Sequence, residues 1–159
     1  PEKLCFFAKM TGIKDKLYKE CLNYVQDCID TAQLAIDAAI ESSNDDTKSS
    51  AGDKYETGRE MMQQEIDRNR KQMEEAKMQK LILMQIEQKN HYDIVQTGSL
   101  VITNFGKFYI AISRGQMQVE GVNYFAISAA SPIGTKLMWQ KIGYEFDFNG
   151  KVFKIEDIK

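Results

Sequence analysis

The sequence predicts an α+β protein, in which a long antiparallel helical hairpin precedes a small antiparallel sheet that packs one helix. Between residues 13 and 90, apolar residues recur every three or four positions, which is the period of one helical face. After residue 97, short runs rich in β-branched and aromatic residues are separated by glycines, which is typical of strands. We therefore divide the chain into an N-terminal extension (1–12), a helical hairpin (13–90) and an α+β domain (91–159).

Each helix of the hairpin carries a narrow stripe of apolar or small side chains. The first helix is predicted from Ile13 to about Ser42, and its stripe comprises Leu17, Cys21, Tyr24, Cys28, Ala32, Ala35 and Ala39. Four further residues widen the stripe: Ile13, Val25, Ile36 and Ile40. The second stripe runs through Tyr55, Met62, Ile66, Met73 and Ala76. Folding the helices back on each other buries both stripes at once. A helix of about 30 residues is about 45 Å long, so we expect the hairpin to project beyond a compact domain at its base.

The turn of the hairpin, which we expect near residues 43–53, lies in the most acidic part of the chain. Residues 37–60 carry seven acidic and three basic side chains, whereas the whole chain has a net charge of −2. Ser50, followed three residues later by Asp53, resembles a capping box that opens the second helix. The simplest interpretation is that these acids are solvated turn and cap residues. The acidity argues against wrapping of duplex nucleic acid and leaves a basic or metal-containing partner open.

Composition and cysteine usage indicate a folded cytoplasmic protein. Hydrophobic residues make up 43% of the chain, yet no apolar run approaches the roughly 20 residues that span a bilayer. Cys21 and Cys28 lie about 10 Å apart along one helix, beyond the roughly 7 Å Cα limit of a disulfide, so we expect buried thiols. The single histidine, His91, leaves little material for a zinc site or an assisted nucleophile, and we expect an ordinary hinge or surface residue.

The C-terminal third predicts strands and one short helix. The strands are Leu100–Thr103, Lys107–Ser113, Asn123–Ser128, Tyr144–Phe148 and Val152–Ile155, the last two joined by a turn at Asn149-Gly150-Lys151. Ser131-Pro132 is typical of a helix start. Leu137, Met138 and Trp139 supply the apolar face of that helix, and Gly143 ends it. We expect Trp139 to lie in the core.

Three sets of residues resemble the Gre-type transcript cleavage and elongation factors of bacterial RNA polymerase. They are Lys54-Tyr55 with Arg59-Glu60, Gly98-Ser99 with Val101, and Ala126-Ile127-Ser128 with Ser131-Pro132-x-Gly134, Leu137 and Lys141-x-Gly143. The last set is similar to the FKBP-like C-terminal domain of that family. The resemblance covers about residues 13–158, and the first dozen residues lie outside it.

The resemblance implies a monomeric factor that docks its C-terminal domain on RNA polymerase and sends the hairpin tip down the secondary channel. There the tip acts on backtracked or paused complexes, contacting the RNA 3′ end indirectly, with no membrane partner and no catalytic residue of its own. The implied tip acids are Asp45, Asp46, Asp53 and Glu56, and a Mg²⁺ ion of the polymerase is shared at Asp45 and Asp46 without any tightly bound cofactor. Lys48, Tyr55 and Arg59 shape the tip or touch the channel, and Ser131, Pro132 and Gly134 form the docking motif.

One departure from the family keeps two hypotheses open. The two acidic positions of the family's tip fall on Lys48 and Ala51, neither of which offers a carboxylate. The protein is then either a cleavage-stimulating factor with relocated acids or a channel regulator that does not stimulate cleavage. Two other classes also stay open: a peptide-binding or prolyl-isomerase domain, and a coiled-coil adaptor that associates through Met61, Met62, Met73 and Met78.

Overall fold

The computed structural model describes residues 12–46, 52–87 and 91–159, together with their side chains except those of residues 46 and 52–55. The predicted N-terminal extension, apart from Gly12, therefore lies outside the described residues. The chain forms two compact units, which are described separately below. The hairpin unit is Asn23–Leu81, and the sheet unit combines the residues up to Leu22 with Ile82–Lys159.

Two long helices that pack against each other precede a six-stranded sheet, as predicted. Helix α1 spans Ile13–Asp46 and helix α2 spans Gly52–Met84. Helix α1 continues past its predicted end at Ser42, because serine, asparagine and aspartate lower helix propensity by only tenths of a kcal/mol per residue. Ser50, proposed as the cap of α2, lies outside the described residues.

The seam of the hairpin unit follows the predicted stripes, except that Tyr24 is exposed. Ile36 and Ala39 of α1 pack with Ile66 of α2, and Lys80 Nζ donates to Gln26 Oε1 at 2.8 Å, so the helices run antiparallel. In α2, buried and half-buried residues alternate by four and three positions at Met62, Ile66, Asn69, Met73 and Ala76, which is the heptad pattern of a coiled coil. In α1, Val25 is fully buried, whereas its neighbour Tyr24 is 37% exposed.

The sheet is mixed, so the predicted all-antiparallel arrangement is wrong at one pair. The strands are β1 (Leu100–Thr103), β2 (Gly106–Ile110), β3 (Gly115–Val119), β4 (Val122–Ile127), β5 (Glu145–Phe148) and β6 (Lys151–Ile158), in the order β3-β4-β2-β1-β6-β5. Strand β4 returns between β3 and β2 and pairs with β2 in parallel, while the other neighbours are antiparallel. The parallel pair arises because the chain crosses from β2 to the sheet edge before it turns back.

Strand β3 was not predicted, and the turn after it explains why. Glu120 and Gly121 join β3 to β4 with φ values of 53° and 78°, the left-handed pair of a two-residue hairpin. Asparagine and aspartate are the usual residues at the first of these positions, so glutamate gives a weak turn signal. Asn149-Gly150, which has the favoured residues, forms the predicted turn between β5 and β6.

Helix α3 is shorter than predicted, and Trp139 is not a core residue. Helix α3 spans Pro132–Leu137. Trp139 N donates to Val95 O and Val95 N donates to Gln140 O, both at 2.9 Å, so the chain leaves the helix to pair with the segment before β1. Trp139 has a φ of 66° and is 69% exposed.

The first turns of α1 pack against the sheet within the sheet unit. Leu17 and Cys21 are fully buried there, and Arg114 lies 3.6 Å from Glu20. Lys16 pairs with Glu120 of the β3–β4 turn. The hydroxyl of Tyr109 is buried with no hydrogen-bond partner among the described residues, and burial raises its pKa.

Lys14, also in this layer, makes stability depend on pH. Its amine lies 4.3 Å from the centre of the Tyr92 ring, and burial lowers its pKa from 10.5 to about 8, opposed by Asp15. Between these two pH values the unfolded chain binds a proton that the folded chain does not, so the free energy of unfolding rises with pH. Burial raises the pKa of Cys21 from 9.0 to about 11, which lowers stability above pH 9.

We therefore expect urea unfolding to show stability rising between about pH 8 and 9. Lys14→Met should remove this rise and stabilise the protein at pH 7 by on the order of 1 kcal/mol, a value reduced for partial solvent contact. Lys19→Met, on the exposed side of the same helix, is the matched control and should keep the wild-type slope. An unchanged slope in Lys14→Met would contradict this assignment.

Candidate functional site

The predicted tip acids lie at one end of the hairpin, on both helices. Asp45 is exposed in the last turn of α1, and Asp46 ends that helix. Asp53 is the second residue of α2, and Glu56 is exposed one turn later. Because the helices are antiparallel, all four positions belong to the same end. The side chains of Asp46, Asp53 and Tyr55, and the whole of Lys48, lie outside the described residues.

Helix polarity separates these acids into two pairs. A helix carries partial positive charge at its N-terminus and partial negative charge at its C-terminus. Asp53 and Glu56, near the start of α2, are therefore stabilised by that helix. Asp45 and Asp46 lie at the wrong end of α1, where each carboxylate costs about 0.3–1 kcal/mol and no basic residue offsets it in the last turn. The helix polarity therefore favours the second pair and disfavours the first pair.

Arg59 lies on an acidic face of α2. Together with Glu56, Glu60 and Gln63 it lines a shallow open depression in the hairpin unit. Glu56 lies three positions before Arg59 and four before Glu60, so these side chains are neighbours on the helix surface. Glu60 and Gln63 were not predicted as site residues, although their spacing from Glu56 and Arg59 was available as a signal.

The described carboxylates do not form a magnesium site of their own. Within the described ranges, no three histidine, cysteine, aspartate or glutamate side chains are placed to hold one ion. Mg²⁺ requires near-octahedral oxygen ligands, and it keeps several waters when a protein supplies only one or two carboxylates. Asp45 would therefore contribute at most one carboxylate ligand to an ion held mainly by other ligands.

The Ser131-Pro132-x-Gly134 motif has a complete local folding role. Ser131 caps α3: its Oγ accepts from Gly134 N at 3.1 Å and donates to Ser128 O at 2.7 Å. Pro132 occupies the first helical position, where its missing N–H costs nothing. Gly134 is buried, and a Cβ there would lie 2.1 Å from Ser128 O. Of the three residues only Pro132 is exposed, so any direct docking contact by the motif falls mainly on its ring.

An apolar crevice in the sheet unit lies beside this motif. It has a volume of about 420 Å³. Its lining comprises Ile82, Gln85, Ile86, Thr97, Ala111, Ser128, Ala129 and Ala130, so it includes the loop that leads into the Ser131 cap. Small side chains leave this space open, and such a crevice can accept one apolar side chain of a partner. The alanines carry no chemical signature, and the crevice was not predicted.

The cysteine and histidine side chains of the described residues are not poised for catalysis. Cys21 is fully buried, as predicted, and its raised pKa keeps the thiol protonated at neutral pH. Cys28 is half-buried, and both thiols are free. His91 is a surface residue, as predicted, with its Nε2 3.5 Å from Asp93 Oδ1.

None of the helices in the described ranges offers an apolar stretch long enough to cross a membrane. No protein-family model matches the chain, and no curated protein sequence is similar to it.

Proposed function

We propose that this protein binds bacterial RNA polymerase and places its hairpin turn in the secondary channel, where it modulates backtracked or paused complexes. The sheet unit docks on the polymerase, and the hairpin carries the acids around Asp45 inward. The protein has no catalytic residue in this proposal and acts on the chemistry of its partner.

The observation that carries the proposal is the position of Asp45 and Asp46. They lie at the turn end of an antiparallel hairpin, in a helix terminus whose dipole opposes them. Acids kept at a stability cost support a role in binding or chemistry over a role in folding. The exposed Pro132 ring and the adjacent apolar crevice support docking through the sheet unit. The sequence motifs shared with the Gre-type factors supply the choice of partner.

The side chains at and near the hairpin turn favour a regulator that does not strongly stimulate RNA cleavage. Lys48 and Ala51 occupy the family's two acidic positions, and Arg59 lines the same depression as Glu56 on α2. These cations weaken the field that would attract Mg²⁺. A coiled-coil adaptor has less support, because two of the four methionines predicted for it, Met62 and Met73, are partly buried on the seam side of α2.

The test adds purified protein to halted elongation complexes of bacterial RNA polymerase and follows RNA length and the lifetime of the halted state. We expect the protein to change that lifetime with little shortening of the RNA. Asp45→Asn combined with Asp46→Asn should abolish the change while leaving polymerase affinity within about twofold, because exposed charges contribute little to binding.

Glu74→Gln combined with Glu75→Gln is the matched control, because it removes two adjacent acids from the same hairpin far from its turn. This variant should behave as the wild type. RNA shortening that the Asp45/Asp46 variant loses would instead establish the cleavage-stimulating alternative. Absence of any binding to the polymerase would refute the proposal altogether.

A further inference from the structure

The segment after α3 presents an unusual amount of apolar surface. We call residues 139–144 the aromatic loop. Its side chains include Trp139, Ile142 and Tyr144, which are 69%, 54% and 39% exposed. Isolated exposed apolar residues are common in proteins, but three within six positions form a patch of the kind that marks an interaction site.

The backbone holds this loop in a fixed conformation. Trp139 adopts a left-handed φ of 66°, which is rare for a bulky side chain. Two hydrogen bonds of 2.9 Å tie Trp139 and Gln140 to Val95, a fully buried residue. At the other end, Gly143 N donates to Ile155 O at 2.8 Å, and Ile155 N donates to Tyr144 O at 3.0 Å. The core therefore fixes both ends of the loop, and the tryptophan side chain is held facing water.

The charge beside the aromatic loop is positive. Lys136 lies three residues before Trp139, and Lys141 lies within the loop; both are exposed, and neither forms an ion pair with another described residue. Of the two acids that follow the loop, Glu145 has a basic partner and Asp147 is exposed. Glu145 lies 3.3 Å from Lys154, and Asp93, two residues before the anchoring Val95, lies 3.5 Å from His91.

We propose that the aromatic loop is a binding surface for an acidic, leucine-rich segment of a partner protein. An aliphatic side chain of that segment packs against Trp139 and Ile142, and flanking carboxylates pair with Lys136 and Lys141. Aromatic residues are the usual energetic centres of protein interfaces, and charges at the rim select the partner.

Single-stranded RNA fits this surface less well. Such binding uses a row of cations along the backbone and aromatic faces on which bases stack. Two lysines make a short row, and Ile142 offers no stacking face. The assignment of a protein partner does not depend on the proposed role at RNA polymerase, because it rests on the loop alone.

Trp139 is the only tryptophan in the chain, so its fluorescence reports directly on this surface. The probe is a synthetic helical peptide of leucine and glutamate, about 15 residues long. Added to the full-length protein, it should shift the tryptophan emission to shorter wavelength and protect it from acrylamide quenching. The same peptide with lysine in place of glutamate should leave the emission unchanged.

Charge reversal supplies the matched variants. Lys136→Glu combined with Lys141→Glu should weaken binding of the glutamate peptide about tenfold and permit binding of the lysine peptide. Lys151→Glu combined with Lys159→Glu changes the net charge equally, outside the aromatic loop, and should leave the affinity for the glutamate peptide within about twofold. The proposal is overturned if neither peptide alters the emission, if both peptides bind equally, or if only a short oligouridylate does so. An emission shift that appears on concentrating the protein alone would show self-association and would overturn it as well.

Discussion

Replacing Gly134 with alanine should destabilise the sheet unit by about 3 kcal/mol, because the added methyl group meets atoms that cannot move. Its carbon would lie 2.1 Å from Ser128 O and 2.7 Å from Ser131 Oγ. Ser128 O already accepts hydrogen bonds from Ser131 N at 3.1 Å and Ser131 Oγ at 2.7 Å. A shift of this carbonyl would break both bonds and remove the cap of α3.

Urea unfolding followed by near-ultraviolet circular dichroism measures this effect, because Trp139 and several tyrosines belong to the sheet unit. Gly58→Ala is the control, since Gly58 lies within α2 and a Cβ there meets nothing within 4 Å. The control should be more stable than the wild type by about 0.5–1 kcal/mol, the helix propensity difference between the two residues. A Gly134→Ala variant as stable as the wild type would show that the 128–134 loop is able to rearrange.

Phe153→Ala should cost about 3–5 kcal/mol, because it removes the ring at the centre of the aromatic core. The centre of the Phe153 ring lies 5.0 Å from that of Phe105, 5.4 Å from Phe146, 6.1 Å from Phe148 and 6.3 Å from Phe108. The cavity left by the substitution would be surrounded by rings attached to two other strands, β2 and β5, and to the turn at Phe105, which cannot close together without moving the sheet.

Val152→Ala is the neighbouring control, since Val152 is 52% exposed on the same strand and should change stability by less than about 1 kcal/mol. Guanidinium unfolding combined with hydrogen exchange of the β6 amides separates a global loss from local fraying. Equal effects of the two substitutions would mean that Phe153 is not the centre of the core.

The helical half of the fold was predictable because its signal is long and redundant. The helices are 34 and 33 residues long, and their apolar patterns repeat over several turns, so an error at Tyr24 does not change the result. The strands were less predictable, since β3 depends on one weak turn at Glu120. The parallel pairing of β2 and β4 could not be predicted, because it depends on β3 lying at the edge of the sheet.

The candidate site residues stay a prediction from the sequence, and the structure adds their surroundings. The sequence singles out Asp45, Asp46 and the Ser131 motif, whereas the opposing helix polarity at Asp45 follows from the continuation of α1 to Asp46. The exposure of Trp139 was missed because tryptophan is usually a core residue. Its orientation follows from two backbone hydrogen bonds to Val95, and the residue types in this segment do not indicate them.

The strand order has a kinetic consequence. The sheet consists of three side-by-side hairpins, β3-β4, β2-β1 and β6-β5, each closed by a short loop. An isolated β-hairpin forms within about 1–10 μs. The two joints between them, Phe108 with Phe125 and Val101 with Ile158, connect distant stretches of chain and must await diffusive encounters. The refolding rate is thus set by these two pairings. The tight loops help to determine which structure forms but have little influence on the refolding rate.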